Sequence, residues 1–126
     1  MSRKFLSYLL WVQGVYTLLT AVWPLVDIQS FMAVTGPKTD IWLVKTVGVV
    51  LIPIASFLLI SIYRPVPVLH LSTVGITSSV GLAAIDFHYT SNRTIWWVYA
   101  ADGVLQLVFA ICWVYIAITF NTDKIQ

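Results

Sequence analysis

The sequence predicts an all-α polytopic membrane protein, a bundle of four transmembrane helices, and three observations carry that expectation. Of 126 residues, 60% are hydrophobic and only 10% are charged, against the ~25% charged residues of a typical soluble domain. Too few polar side chains exist to clothe a water-soluble surface, and the mean hydropathy of +0.90 agrees. The apolar residues also gather in four continuous runs, 5–26, 41–63, 66–86 and 95–120, each near the ~20 residues a helix needs to cross the hydrocarbon core. A closed β-barrel also satisfies its backbone in lipid, but these runs show no period-two alternation. At this length the natural expectation is one domain covering residues 1–126.

The first run follows the basic pair Arg3 and Lys4. It reaches Val26, past the ~7–15 residues of a cleavable signal core, and meets Trp23-Pro24 in place of a small-x-small cleavage site. A retained helix is therefore expected. Thr35-Gly36-Pro37 ends an irregular connection, after which Thr39 or Asp40 can cap the second helix. Arg64-Pro65-Val66-Pro67 reads as a tight turn, because each proline removes a donor and restricts the residue before it. Ser91-Asn92-Arg93-Thr94 reads as the polar turn before the fourth helix. Asn92-Arg93-Thr94 also matches a glycosylation sequon, but it abuts a span and reads as a chance match.

Basic residues in short loops set the expected orientation. With both termini cytoplasmic, Arg3, Lys4, Arg64 and Lys124 lie inside, and Lys38 and Arg93 outside, as in a bacterial inner membrane protein. Aromatics mark both interfaces: Trp23, Trp42, Tyr89, Trp96 and Trp97 on one side, Tyr8, Tyr63 and Tyr115 on the other. The second and fourth runs begin alike, Ile41-Trp42-Leu43-Val44 and Ile95-Trp96-Trp97-Val98, and the first and third both end in aspartate. Two tandem helical hairpins would produce this; the ordinary recurrence of interface tryptophans and helix-end aspartates would produce it equally.

Helical spacing sorts the polar residues into stripes. Gln13, Thr17, Thr20, Pro24 and Asp27 share one face of the first helix, and Tyr99, Asp102, Gln106, Ala110 and Trp113 one face of the fourth. Small and hydroxyl residues are ordinary where membrane helices pack closely, and a helix-to-helix hydrogen bond would explain Gln13 and Gln106. The ionisable residues demand more. Every acidic residue is aspartate, and Asp27, Asp40, Asp86 and Asp102 all fall towards the outer side. Asp102 lies about seven residues into its run, roughly 10 Å deep, and Lys45 about four residues, roughly 6 Å. A charge at the centre of a membrane helix costs at least ~2.5–3.5 kcal/mol, so Asp102 is expected to face the bundle interior beside Lys45.

The candidate site is therefore Asp102, Lys45, Asp86 and Asp27, with Tyr99, Gln106 and His88 around them. A Lys45–Asp102 pair that only fixes helix register is the structural alternative. The functional expectation is an outward-facing polar and acidic pocket for a small polar or cationic ligand, an ion or a proton, with transport one outcome. Surplus negative charge favours it, since one lysine does not neutralise three aspartates. An accessory subunit of a membrane complex comes second. A membrane-embedded enzyme using Asp/His acid–base chemistry comes last, for want of a nucleophile or nucleotide loop. Cys112 is the only cysteine, with no CxxC and no metal-spaced set, so no metal or other cofactor is expected. Nucleic acid is not an expected partner either, because no basic stripe exists. The lipid bilayer is one, and a homo-oligomer is compatible with the size.

Overall fold

The computed structural model describes residues 2–64, 66–93 and 95–125, and the side chains of all of these except Ser2 and 121–125. Pro65, Thr94 and the side chain of Lys124, which entered the expectations above, lie outside the described residues. The described residues form five helices: α1 (Ser2–Val26), α2 (Ile28–Thr35), α3 (Ile41–Ile60), α4 (Val68–Ser91) and α5 (Val98–Ile125). Four stretches, Arg3–Val26, Ile41–Ile60, Val68–Ser91 and Val98–Phe120, are long and apolar enough to cross a bilayer. Their outward faces carry exposed apolar side chains such as Val12, Leu19, Val50, Leu69, Ile111 and Ile118. Such surfaces fit contact with lipid and an integral membrane location.

The connection after the first span is a helix where an irregular loop was expected. Asp27 leaves helical geometry at φ −145°, and its carboxylate accepts the Ser30 backbone N–H at 3.3 Å, an N-cap that starts α2. Trp23 then donates from Nε1 to Ser30 Oγ at 2.8 Å and meets Phe31 edge to face at 5.3 Å. These contacts fold α2 back onto α1. The helix stops at Gly36, whose φ of +103° suits a residue without Cβ. A side chain there would also strike the Trp96 indole at 2.9 Å.

Other boundaries move as well. α3 ends at Ile60 rather than 63, in a turn before the prolines. α4 runs to Ser91 rather than 86, because Phe87, His88 and Tyr89 continue the helix past the point where hydropathy falls. α5 begins at Val98, leaving Ile95 to Trp97 in the connection.

α1 packs along α3, and α4 packs along α5, so the chain is arranged as two hairpins. A smaller contact between α1 and α5 joins them, and α2 bridges α1 and α5 at one end. α3 and α4 share no comparable packing. Towards the end that holds the termini, Leu9, Leu10, Leu58, Leu71, Phe109, Trp113 and Ile116 form the core. Within it Trp113 donates from Nε1 to Gln13 Oε1 at 2.5 Å, and Gln13 Nε2 donates to Ser79 Oγ at 2.9 Å. One buried relay thus links α1, α4 and α5, and it explains the glutamine in the first span. Gly75 is glycine because the indole of Trp113 fills the place of its side chain. Several other membrane hydroxyls bond back onto their own helix, as Thr73 does to Leu69 O at 2.7 Å and Thr77 to Thr73 O at 2.6 Å.

Candidate functional site

Beneath α2, where the two hairpins diverge, lies a cavity of about 260 Å³. Its walls are mostly apolar, and its polar groups come from three helices: Tyr16, Thr17 and Thr20 of α1, Asp86 and Tyr89 of α4, and Tyr99, Asp102 and Gln106 of α5. Phe31 of α2 and Val44, Val47 and Gly48 of α3 also line it.

Two close approaches shape it. A Cβ on Gly48 would meet the Ala21 carbonyl oxygen at 2.6 Å, so glycine lets α3 come against α1. A Cβ on Gly103 would meet the Phe87 ring at 3.0 Å and Asp86 Cβ at 3.2 Å. The backbone of α5 therefore passes directly over Asp86, which brings the carboxyls of Asp86 and Asp102 close enough to interact.

The two carboxyls have different surroundings. Asp102, half-buried in the second turn of α5, accepts the Tyr16 hydroxyl at Oδ1 and the Gln106 amide at 3.4 Å. Asp86 is only 5% exposed, yet its Oδ2 has no hydrogen-bond partner. A buried carboxylate oxygen left unpaired is unfavourable, and Asp86 is one of the residues lining the cavity. Two neighbouring carboxyls in an apolar setting cannot both stay ionised without a counter-charge, whether a proton or a bound cation.

Lys45 does not supply that charge. It is exposed and absent from the cavity wall, because Val44, Val47, Gly48 and Leu51 form the inward stripe of α3. One residue on from Val44 is ~100° around the helix, which directs Lys45 outwards near a helix end, where a long chain can snorkel. The expected Lys45–Asp102 pair is thus replaced by the Tyr16–Asp102 hydrogen bond. Asp27 is likewise exposed and occupied as the cap of α2. His88 is exposed, with its Nε2 3.3 Å from Asn92 Nδ2 and its ring against Tyr89 at 4.9 Å, off the cavity. Of the seven expected site residues, Asp86, Tyr99, Asp102 and Gln106 come together; Lys45, Asp27 and His88 do not.

Two participants escaped the sequence reading. Tyr16 passed as one aromatic in an apolar run, although it stands three residues after Gln13 and four before Thr20, on the polar stripe. Lys38 read only as a loop charge. Its Nζ donates to Thr35 O at 3.1 Å and Gly36 O at 2.9 Å, completing the end of α2. It also lies 5.1 Å from the Tyr99 ring centroid, within cation–π range. Burial holds its pKa below the ordinary lysine value. This ammonium is bound to carbonyls and an aromatic face, and Asp86 Oδ2 remains without a donor. No family model, curated protein or solved structure matches this chain.

Proposed function

We propose that the cavity binds a small ligand bearing a positive charge, with Asp86 as its anchor and Asp102, Tyr99 and Gln106 beside it. The observation that carries this reading is the unpaired Oδ2 of an aspartate that is almost wholly buried and is one of the residues lining the cavity. The Tyr16–Asp102 hydrogen bond supports it, because it occupies Asp102 Oδ1 while Asp86 Oδ2 stays without a donor. On this reading the α2 end faces outwards and both termini are cytoplasmic, with Arg3, Lys4 and Arg64 at the inner side of a bacterial inner membrane. Uptake or export of the ligand would use the same site.

A ligand that binds only the folded state stabilises it by mass action, by about 2.7 kcal/mol at a hundredfold excess over Kd. Ammonium, guanidinium and small primary amines are therefore expected to raise the Tm of the detergent-solubilised protein. Protons compete with the cation for the carboxyls, so the increase should grow as pH rises from acid to mildly alkaline. If no cation in such a panel raises Tm at any pH, the binding-site reading fails, and an accessory role in a membrane complex takes its place.

A further inference from the structure

The cavity has a wall that the packing does not close. Ordered around the bundle, the helix contacts run from α3 to α1, from α1 to α5 and from α5 to α4. The fourth side, between α3 and α4, has no comparable contact. Yet both helices line the cavity there, α3 through Val44, Val47 and Leu51, and α4 through Leu82 and Ile85. Val47 and Ile85 are 52% and 55% exposed. The gap therefore lies on the part of the surface that faces hydrocarbon in a bilayer, and its rim is aliphatic except for Tyr89 one turn along α4 from Ile85.

We infer that the ligand is a small amine with an apolar body, which reaches Asp86 from the bilayer through the gap between α3 and α4. This rests on the cation-binding reading above and adds the ligand class and the route. A bare inorganic cation would exchange its hydration shell for walls that offer few oxygens, whereas an amphiphilic amine matches both parts of the site. Its ammonium meets Asp86 Oδ2, and its body lies against Val44, Leu51, Leu82 and Phe31. The volume limits the body. At the ~30 Å³ a water molecule takes in the liquid, about 260 Å³ holds roughly nine groups of that size, the scale of a hexylamine or a phenethylamine.

The route follows from the same chemistry. Such amines partition into bilayers with the ammonium at headgroup depth and the chain below. Asp86 lies between one and two turns from the end of α4, so sliding sideways between the helices carries the ammonium to the carboxyl without stripping the chain from an apolar medium.

The test uses the full chain in lipid nanodiscs at neutral pH, with ammonium, guanidinium and the straight-chain primary amines as probes and hexanol as the uncharged control. Affinity referred to the aqueous concentration should rise about three- to fourfold per added methylene, from ~0.8 kcal/mol per buried CH₂, and should level off or fall once the chain exceeds the cavity. Hexanol should bind far more weakly than hexylamine. In Val47→Trp/Ile85→Trp, both substitutions sit at exposed positions and narrow the gap, so Tm should be retained while hexylamine binds several-fold more slowly in stopped-flow fluorescence.

Ammonium or guanidinium binding as tightly as hexylamine would overturn the apolar-body inference and leave the Asp86 reading standing. Hexanol binding as tightly as hexylamine would show an apolar void that takes lipid tails, and would overturn both. An unchanged binding rate in the double variant overturns the lateral route, and a concurrent drop in oligomeric mass would identify a second copy as what covers the gap.

Discussion

Trp113→Ala is expected to cause the largest loss of stability of any single core substitution. The side chain is fully buried, with 0% exposure, and packs against Gly75 with no room for even a methyl group between them. Large-to-small changes of this kind cost about 3–5 kcal/mol through lost contacts and the residual cavity. The indole Nε1–H also satisfies Gln13 Oε1, and its removal orphans a buried amide oxygen, which adds about 1–3 kcal/mol. Thermal unfolding in detergent should show Tm lower by roughly 12–40 °C, at ~3–5 °C per kcal/mol for a chain of this size. Gln13→Leu in the Trp113→Ala background should then add little, because the relay is already broken. A Trp113→Ala protein that melts within a few degrees of wild type would mean that α1, α4 and α5 are not joined through this residue.

The second large effect is expected at Tyr16. Its hydroxyl donates to Asp102 Oδ1 inside the cavity, and hydrogen bonds to charged groups contribute about 1.5–3 kcal/mol. Tyr16→Phe keeps the ring against Phe109 but leaves the half-buried carboxyl with only the longer Gln106 contact. Replacing both partners by apolar groups is far less harmful than removing one. Tyr16→Phe should therefore lower Tm clearly, and Tyr16→Phe/Asp102→Leu should recover much of it. Lys45→Met, in contrast, should be nearly silent, since Lys45 is exposed and turned away from the carboxyls. Recovery of an Asp102 variant by Lys45→Met rather than by Tyr16→Phe would restore the ion pair that the sequence suggests.

The spans were legible because bilayer thickness and hydropathy act on whole segments: the apolar runs at 41–63 and 95–120 differ from α3 and the spanning part of α5 by only a few residues at each end. Their pairing into hairpins was only one of two readings, because Ile41-Trp42 and Ile95-Trp96 recur for interfacial reasons whether or not the helices pair. The segment 28–35 was illegible as a helix, since eight residues carry little periodicity and its cap is an aspartate that also serves as the end of a membrane span. Asp102 could be singled out by its depth, whereas Asp86 only marked the end of the third run. Whether Lys45 meets them could not be read, because Lys45 and Val44 differ by one position and only helix rotation decides which points inwards. Tyr16 stood on the Gln13–Thr20 stripe all along, but an aromatic in an apolar run is usually lipid-facing or core, and nothing short of the packing of α5 on α1 identifies its partner.

The claim at the centre of this account is that Asp86 Oδ2 is an acceptor waiting for a cation, and a calorimetric titration of hexylamine into wild type and Asp86→Asn tests it most directly. The asparagine keeps the shape and hydrogen-bonding reach of the aspartate and removes its charge, and with it any repulsion from Asp102, so the variant should fold and melt at or above the wild-type temperature. Wild type is expected to give a saturable isotherm at one amine per chain, and Asp86→Asn to give none. An Asp86→Asn protein that is folded and binds the amine as tightly as wild type would contradict the assignment.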